Sequence, residues 1–202
     1  MMLNSEFKTL YSNWSNKGKA YKEDDTSQVF DKFFTFFVLY SILYNETNLY
    51  FHKNKNFESC KSYKLLSDSK AATICAVDLL GSKTILEKIQ ESDLGRDGLK
   101  SIKRLFETNS EDNFKISFKS KDNKYEYDKG ADHKLFNDLN SPKNDDVLVT
   151  AILTLIYQTR CNMFHGRKGI HPVQQHLLNP LSNILDVLVS AMYENLIERP
   201  QR

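Results

Sequence analysis

"DDVLVTAILTLIYQTRCNMFHGRKG", residues 145–169, is the stretch on which the reading of the fold turns. From Val147 to Tyr157 it is almost wholly apolar and does not alternate. Such a run reads as a helix buried on nearly all sides. Asp145 and Asp146 at its head suit the positive end of a helix dipole, and Gly166 beyond its foot is a natural stop. A helix over 145–164 is therefore expected, with Arg160, Asn162 and His165 at the exit of a buried scaffold.

Outward from this segment the chain is mostly helical. Residues 2–16 place Leu3, Phe7, Leu10, Tyr11 and Trp14 at helical spacing. Residues 27–51 predict a long aromatic-rich helix. Its apolar cluster of Phe33, Phe34, Phe36, Phe37 and Tyr40 reads as core or dimer interface, because consecutive aromatics face different ways around a helix. Shorter helices are expected over 68–80 and 82–91, separated by Gly81 with Ser82 as a cap, and over 98–108. The pattern changes at "FKISFKSKDNKYEYDKG", 114–130, which alternates with period two: Phe114, Ile116 and Phe118, then Tyr125 and Tyr127 after a turn-rich "SKDN". That is a β-hairpin signal. The lysines of 115–134 are interleaved with Asp122, Glu126, Asp128 and Asp132, so they read as a solvated hairpin and only a weak RNA-binding candidate. The last helix is expected from Asn179 as cap and Pro180 as first residue to about Ile197. The fold class is thus all-α: one helical domain over 1–202, with a polar insertion at about 109–143 carrying a small hairpin.

Composition narrows the function classes little. The 202 residues carry a formal net charge of +2, so global charge does not point to nucleic acid. The N-terminal "MMLNSEFKTLYSNWSN" lacks a basic start followed by an apolar core and reads as no signal peptide. The most apolar run, "FFTFFVLYSILY" at 33–44, is far short of the roughly 20 residues of a membrane span. No membrane partner is expected. The odd, widely spaced cysteines Cys60, Cys75 and Cys161 read as reduced, cytosolic thiols.

An arginine followed by a histidine five positions later is a weak pattern alone; with this chain's arginines and histidines, chance supplies about half such a hit. Its context is stronger. No acid occurs from Val147 to Leu185, where the average composition would place about five. Within that stretch lie Arg160, Arg167, Lys168 and the histidines His165, His171 and His176. Such a concentration suggests an anion site. Arginine presents a planar fork of donors to phosphate, and histidine moves protons near neutral pH. The pair suffices for metal-free RNA cleavage: histidine assists 2′-hydroxyl attack or protonates the leaving 5′-oxygen, and arginine stabilises the charge on the phosphoryl oxygens. Asn162 could orient a side chain or bind phosphate. One chain supplies one histidine where the reaction needs an acid and a base, so two chains meeting at this helix are expected. Residues five apart on a helix diverge by about 140°, so the helix must unwind near Phe164–His165 or the pair must converge with partner residues.

"RCNMFHG" at the end of an apolar helix resembles the signature of the HEPN superfamily, which carries Arg, four to six residues with a polar one near the start, then His. The upstream "FDKFFTFFVLYSILYNETNLY" is similar to that family's first core helix, including the aromatic–Asn pair Tyr44–Asn45. The likeness covers about 27–51 and 145–197, and not 52–144. It implies a helical bundle that dimerises through the motif helices. It also implies a metal-independent endoribonuclease of toxin–antitoxin or antiviral defence type, cytoplasmic, with an antitoxin or sensor protein as partner. Arg160, Asn162 and His165 match the motif as catalytic residues. Arg167 and Lys168 are assigned to substrate binding at the rim. No cofactor is implied. A toxin subgroup has tyrosine two positions after the histidine, modified by a partner nucleotidyltransferase; here Arg167 stands there, which puts that mode of neutralisation in doubt.

Three other readings stand beside this one. Arg160 and His165 would also serve simply as a helix-end cation and a C-terminal cap. The domain could be a non-catalytic HEPN-type module that binds RNA, nucleotide or protein. Cys161, His165, His171 and His176 could hold zinc, though the spacing is loose and Cys161 reads better as an inward-packing small hydrophobe.

Overall fold

The structure, a computed structural model, describes residues 5–22, 24–54, 64–108, 115–121, 124–164 and 174–198. Among them are eight helices and one hairpin: α1 (Ser5–Ala20), α2 (Thr26–Lys53), α3 (Asp68–Leu80), α4 (Ser82–Glu91), α5 (Asp93–Thr108), β1 (Phe118–Lys121), β2 (Lys124–Tyr127), α6 (Lys129–Asn140), α7 (Asp145–Phe164) and α8 (Gln175–Glu198). The predominantly helical fold class is as the periodicity predicts. None of these helices is long and apolar enough to cross a membrane.

α2 forms the middle of the core. Asp25 caps it, its carboxylate accepting from the Ser27 and Gln28 backbone N–H groups. Val29, Phe33, Phe36, Leu39, Tyr40 and Leu43 are completely buried along it. α8 packs along α2, α1 and α3 lie against α2, and α5 crosses α8. α7 packs on α3, α4 and α6. The aromatic cluster foreseen as core or interface is core, with Phe33, Phe36, Phe37 and Tyr40 buried and Phe34 packed against them.

Four local expectations need correction. Ser82 is not a cap: it is the first residue of α4, Gly81 is the N-cap at φ 80°, and no side chain caps the helix. α5 begins five residues earlier than foreseen, its start fixed by Ser92 Oγ accepting the Gly95 N–H at 3.2 Å. α8 begins at Gln175, so Pro180 lies inside it rather than heading it. Pro180 forgoes a backbone hydrogen bond, but Leu177 and Leu178 are buried by the extra turn, and that packing outweighs the N-terminal preference of proline.

The fourth correction concerns the insertion at 109–143. It contains a hairpin, with Phe118 paired to Tyr127 and Lys121 to Lys124, but its strands are only four residues each, and Phe114 lies outside the described residues. It also contains the unforeseen helix α6, capped by Asp128, which accepts the Ala131 N–H at 3.1 Å. Leu135 and Leu139 supply its narrow buried stripe. A two-stranded hairpin is marginal alone. This one is anchored by its lead-in, where Asp132, 1% exposed, accepts the Ile116 and Ser117 backbone N–H groups at 2.9 and 2.7 Å. The Ser117 carbonyl accepts the Asp128 N–H at 2.9 Å.

Candidate functional site

α7 is helical to Phe164, so the Arg-to-His segment begins on regular backbone. Of the five sequence-predicted site residues, Arg160 and Asn162 are described; His165, Arg167 and Lys168 lie outside the described residues. The unwinding expected around Phe164–His165 falls at that boundary.

Arg160 is half-buried, its guanidinium carbon 5.5 Å from the centroid of the Phe37 ring on α2. A planar cation over an aromatic face is held electrostatically and by stacking. Its Nη1 also donates to Cys161 Sγ at 3.9 Å. Asn162 lies elsewhere. Two positions further round the helix it is 4% exposed, and its Nδ2 donates to the Ile116 carbonyl at 2.8 Å. Its Oδ1 is buried without a partner among the described residues. Arg160 and Asn162 are therefore not brought onto one face: the first packs on α2, the second on the lead-in to the hairpin.

The acid-free run along the sequence is not acid-free in space. Tyr157, one turn before Arg160, donates to Asp68 Oδ2 at 3.0 Å, and Tyr44 of α2 donates to Asp68 Oδ1 at 2.6 Å. Asp68 opens α3. Burial first, then the neighbouring Cys161 and Asp68, push the Tyr157 phenol above its ordinary range. Burial and then Asp68 do the same to Tyr44. Both phenols thus stay protonated and donate to a carboxylate next to the motif. Tyr157, Arg160 and Cys161 share one helical face by their spacing, which was available in the sequence. Asp68, 89 residues away from Tyr157, carried no local signal.

The aromatic–Asn pair also divides. Tyr44 enters the core and reaches Asp68, but Asn45 is exposed and donates to the Ser41 carbonyl within α2. The buried amide is Asn48, which donates to the Leu66 carbonyl at 3.0 Å and accepts the Leu66 N–H at 3.1 Å. It pins the segment entering α3, and through it the placement of Asp68.

No group of three or more His, Cys, Asp or Glu side chains among the described residues is arranged to hold a metal ion. Of the residues considered for zinc, His165 and His171 are outside the described set. Cys75 is a buried thiol and Cys161 a partly buried one.

No family model, no curated protein and no solved structure matches the chain. The functional reading therefore rests on the residues themselves.

Proposed function

We propose that the chain is a HEPN-like, metal-independent endoribonuclease that works as a cytoplasmic homodimer, a toxin or defence effector restrained by an antitoxin or directed by a sensor protein. The observation that carries the reading is the seating of Arg160. Its stem leaves the last turns of a helix buried on nearly every side, and its guanidinium lies on the Phe37 ring. A donor fork held this way is preorganised to meet charge developing on a phosphoryl oxygen. His165 follows five residues later as the proton carrier. Attack by the 2′-hydroxyl on the adjacent phosphorus expels the 5′-oxygen, which takes a proton, and leaves a 2′,3′-cyclic phosphate. The second histidine comes from the partner subunit.

A non-catalytic binding module is the second reading, and one observation favours it: Asn162 has a structural partner in Ile116, and Arg160 has one in Phe37. Both residues would then be retained for packing.

Incubation of the purified protein with single-stranded RNA in EDTA separates the two. The ribonuclease reading expects cleavage with 2′,3′-cyclic phosphate ends. Strict dependence on an added divalent ion sinks the mechanism, and binding without cleavage supports the module.

A further inference from the structure

An acid at the head of a helix ordinarily needs no partner beyond the positive end of the dipole. Asp68, the first residue of α3 and an exposed one, has two: Tyr44 donates to its Oδ1 at 2.6 Å and Tyr157 to its Oδ2 at 3.0 Å. The phenols come from different helices. Tyr44 is 1% exposed on α2, and Tyr157 is half-buried on α7. Burial keeps both protonated, so both remain donors. The carboxylate is itself fixed from the α2 side, because Asn48 brackets the Leu66 backbone two residues earlier.

A second link runs beside this clasp. Tyr157 and Arg160 are three positions apart on α7, and Phe37 and Tyr44 are seven apart on α2, so each pair shares one side of its helix. Tyr157 is tied to Tyr44 through Asp68, and Arg160 lies over the Phe37 ring. The two links join the same two helix faces in antiparallel order: the later residue on α7 meets the earlier one on α2. A slide or rotation of α7 against α2 would disturb both together. They differ in strength and direction. A hydrogen bond to a carboxylate is charge-assisted and directional, whereas a cation over a ring face tolerates displacement across it. The clasp is therefore the link that sets the spacing, and the guanidinium takes its place from it.

We propose that Asp68 is a positioning residue for Arg160: its carboxylate, clasped by Tyr44 and Tyr157, holds the motif turn of α7 against the Phe37 face of α2. What the held guanidinium acts on rests on the ribonuclease reading. Under that reading Asp68 touches no substrate and moves no proton. It locks the orientation of a donor fork, the role that hydrogen bonds behind a reacting group commonly fill. Its effect falls on the chemical step and not on the affinity for RNA.

The first readout is independent of cleavage. NMR of the full chain follows the Arg160 Nε–H signal, assigned by its loss in Arg160→Lys. Ring current shifts protons over an aromatic face upfield, so the wild-type signal should lie upfield of an exposed arginine's. Tyr157→Phe and Asp68→Ala should each move it most of the way to the exposed position. Tyr11→Phe, which loses a phenol bond to Ser190 between α1 and α8, should leave it in place. An Arg160 signal that stays put in Tyr157→Phe and Asp68→Ala overturns the proposal. Were Asp68→Ala unfolded, Tyr157→Phe, which removes a single hydroxyl, decides alone. The second readout is single-turnover cleavage at saturating RNA. Tyr157→Phe should slow it about ten- to a hundredfold, with affinity for uncleavable 2′-O-methyl RNA unchanged. In an Arg160→Lys background the same substitution should cost far less, because the fork it positions is gone. Equal fold losses in both backgrounds, or a loss confined to affinity, make the clasp merely structural and overturn the proposal. A wild type that cleaves no RNA, with the Arg160 signal displaced as expected in the variants, upholds the clasp and refutes only the ribonuclease reading.

Discussion

Arg160 has two jobs that a substitution can separate. Its guanidinium lies over the Phe37 ring, and its donors are offered to phosphate in the proposed reaction. Arg160→Lys keeps the charge but loses the planar fork and the stacking geometry. Arg160→Ala should lower the rate of RNA cleavage by about 10²–10³, and His165→Ala by about 10²–10⁴, with affinity for uncleavable RNA largely retained in the latter. Single-turnover kinetics on purified proteins checks both. Near-wild-type rates in the two variants would remove these residues from the site. At this scale the motif was legible because its spacing is local. The neighbourhood was not: Asp68 and Tyr44 reach Tyr157 only through the packing of α2, α3 and α7.

The crossing of α5 and α8 shows why an element's ends and contacts are set by its partner. Two glycines on α5 face α8. A Cβ on Gly98 would stand 2.8 Å from the Pro180 carbonyl oxygen and 3.3 Å from Ile184 Cγ1; one on Gly95 would meet Val187 Cγ2 at 3.2 Å and, on the α4 side, the Ile89 carbonyl oxygen at 2.7 Å. The obstacle at Gly98 is backbone, which cannot step aside. Gly98→Ala should therefore destabilise the fold by about 1–3 kcal/mol in urea unfolding. Gly130 on α6, where an added Cβ meets only Asp128 Oδ1 at 3.6 Å, should gain up to about 1 kcal/mol from the same change. Equal effects at the two sites would contradict the close crossing. α2, α3, α4 and α7 begin and end within two residues of their predicted bounds. α6 escaped notice because its buried stripe is narrow and its dependence on the Ile116 segment is invisible along the chain.

For the whole molecule, the single chain hides the apolar faces of α7 and α8 without a partner subunit. Val149, Leu153, Leu155 and Ile156 on α7 and Leu181, Ile184, Leu185 and Met192 on α8 are fully buried within the single chain. The large hydrophobics that remain exposed among the described residues, such as Leu65 at 54% and Leu94 at 52%, are scattered along the sequence. A homodimer is now motivated by chemistry alone, since one motif supplies one histidine. Mixing wild type with excess His165→Ala protein under conditions of subunit exchange should depress cleavage below the wild-type fraction. Activity proportional to that fraction, or a fully active monomer in light scattering, would exclude a composite site at a dimer seam.

The sequence by itself determined the helical class, the long central helix, the buried course of α7 and the place of Arg160 near its exit. Those follow from periodicity and from residue types within a turn or two of one another, where geometry is fixed by the backbone. The tertiary structure alone decided that Asp68 lies beside Tyr157, that Asn48 and not Asn45 is the buried amide, and that Asn162 roots the hairpin on Ile116. Each of these joins groups 18 or more residues apart. Buried polar atoms find whichever partner packing brings within hydrogen-bond reach, and no local pattern specifies which that will be.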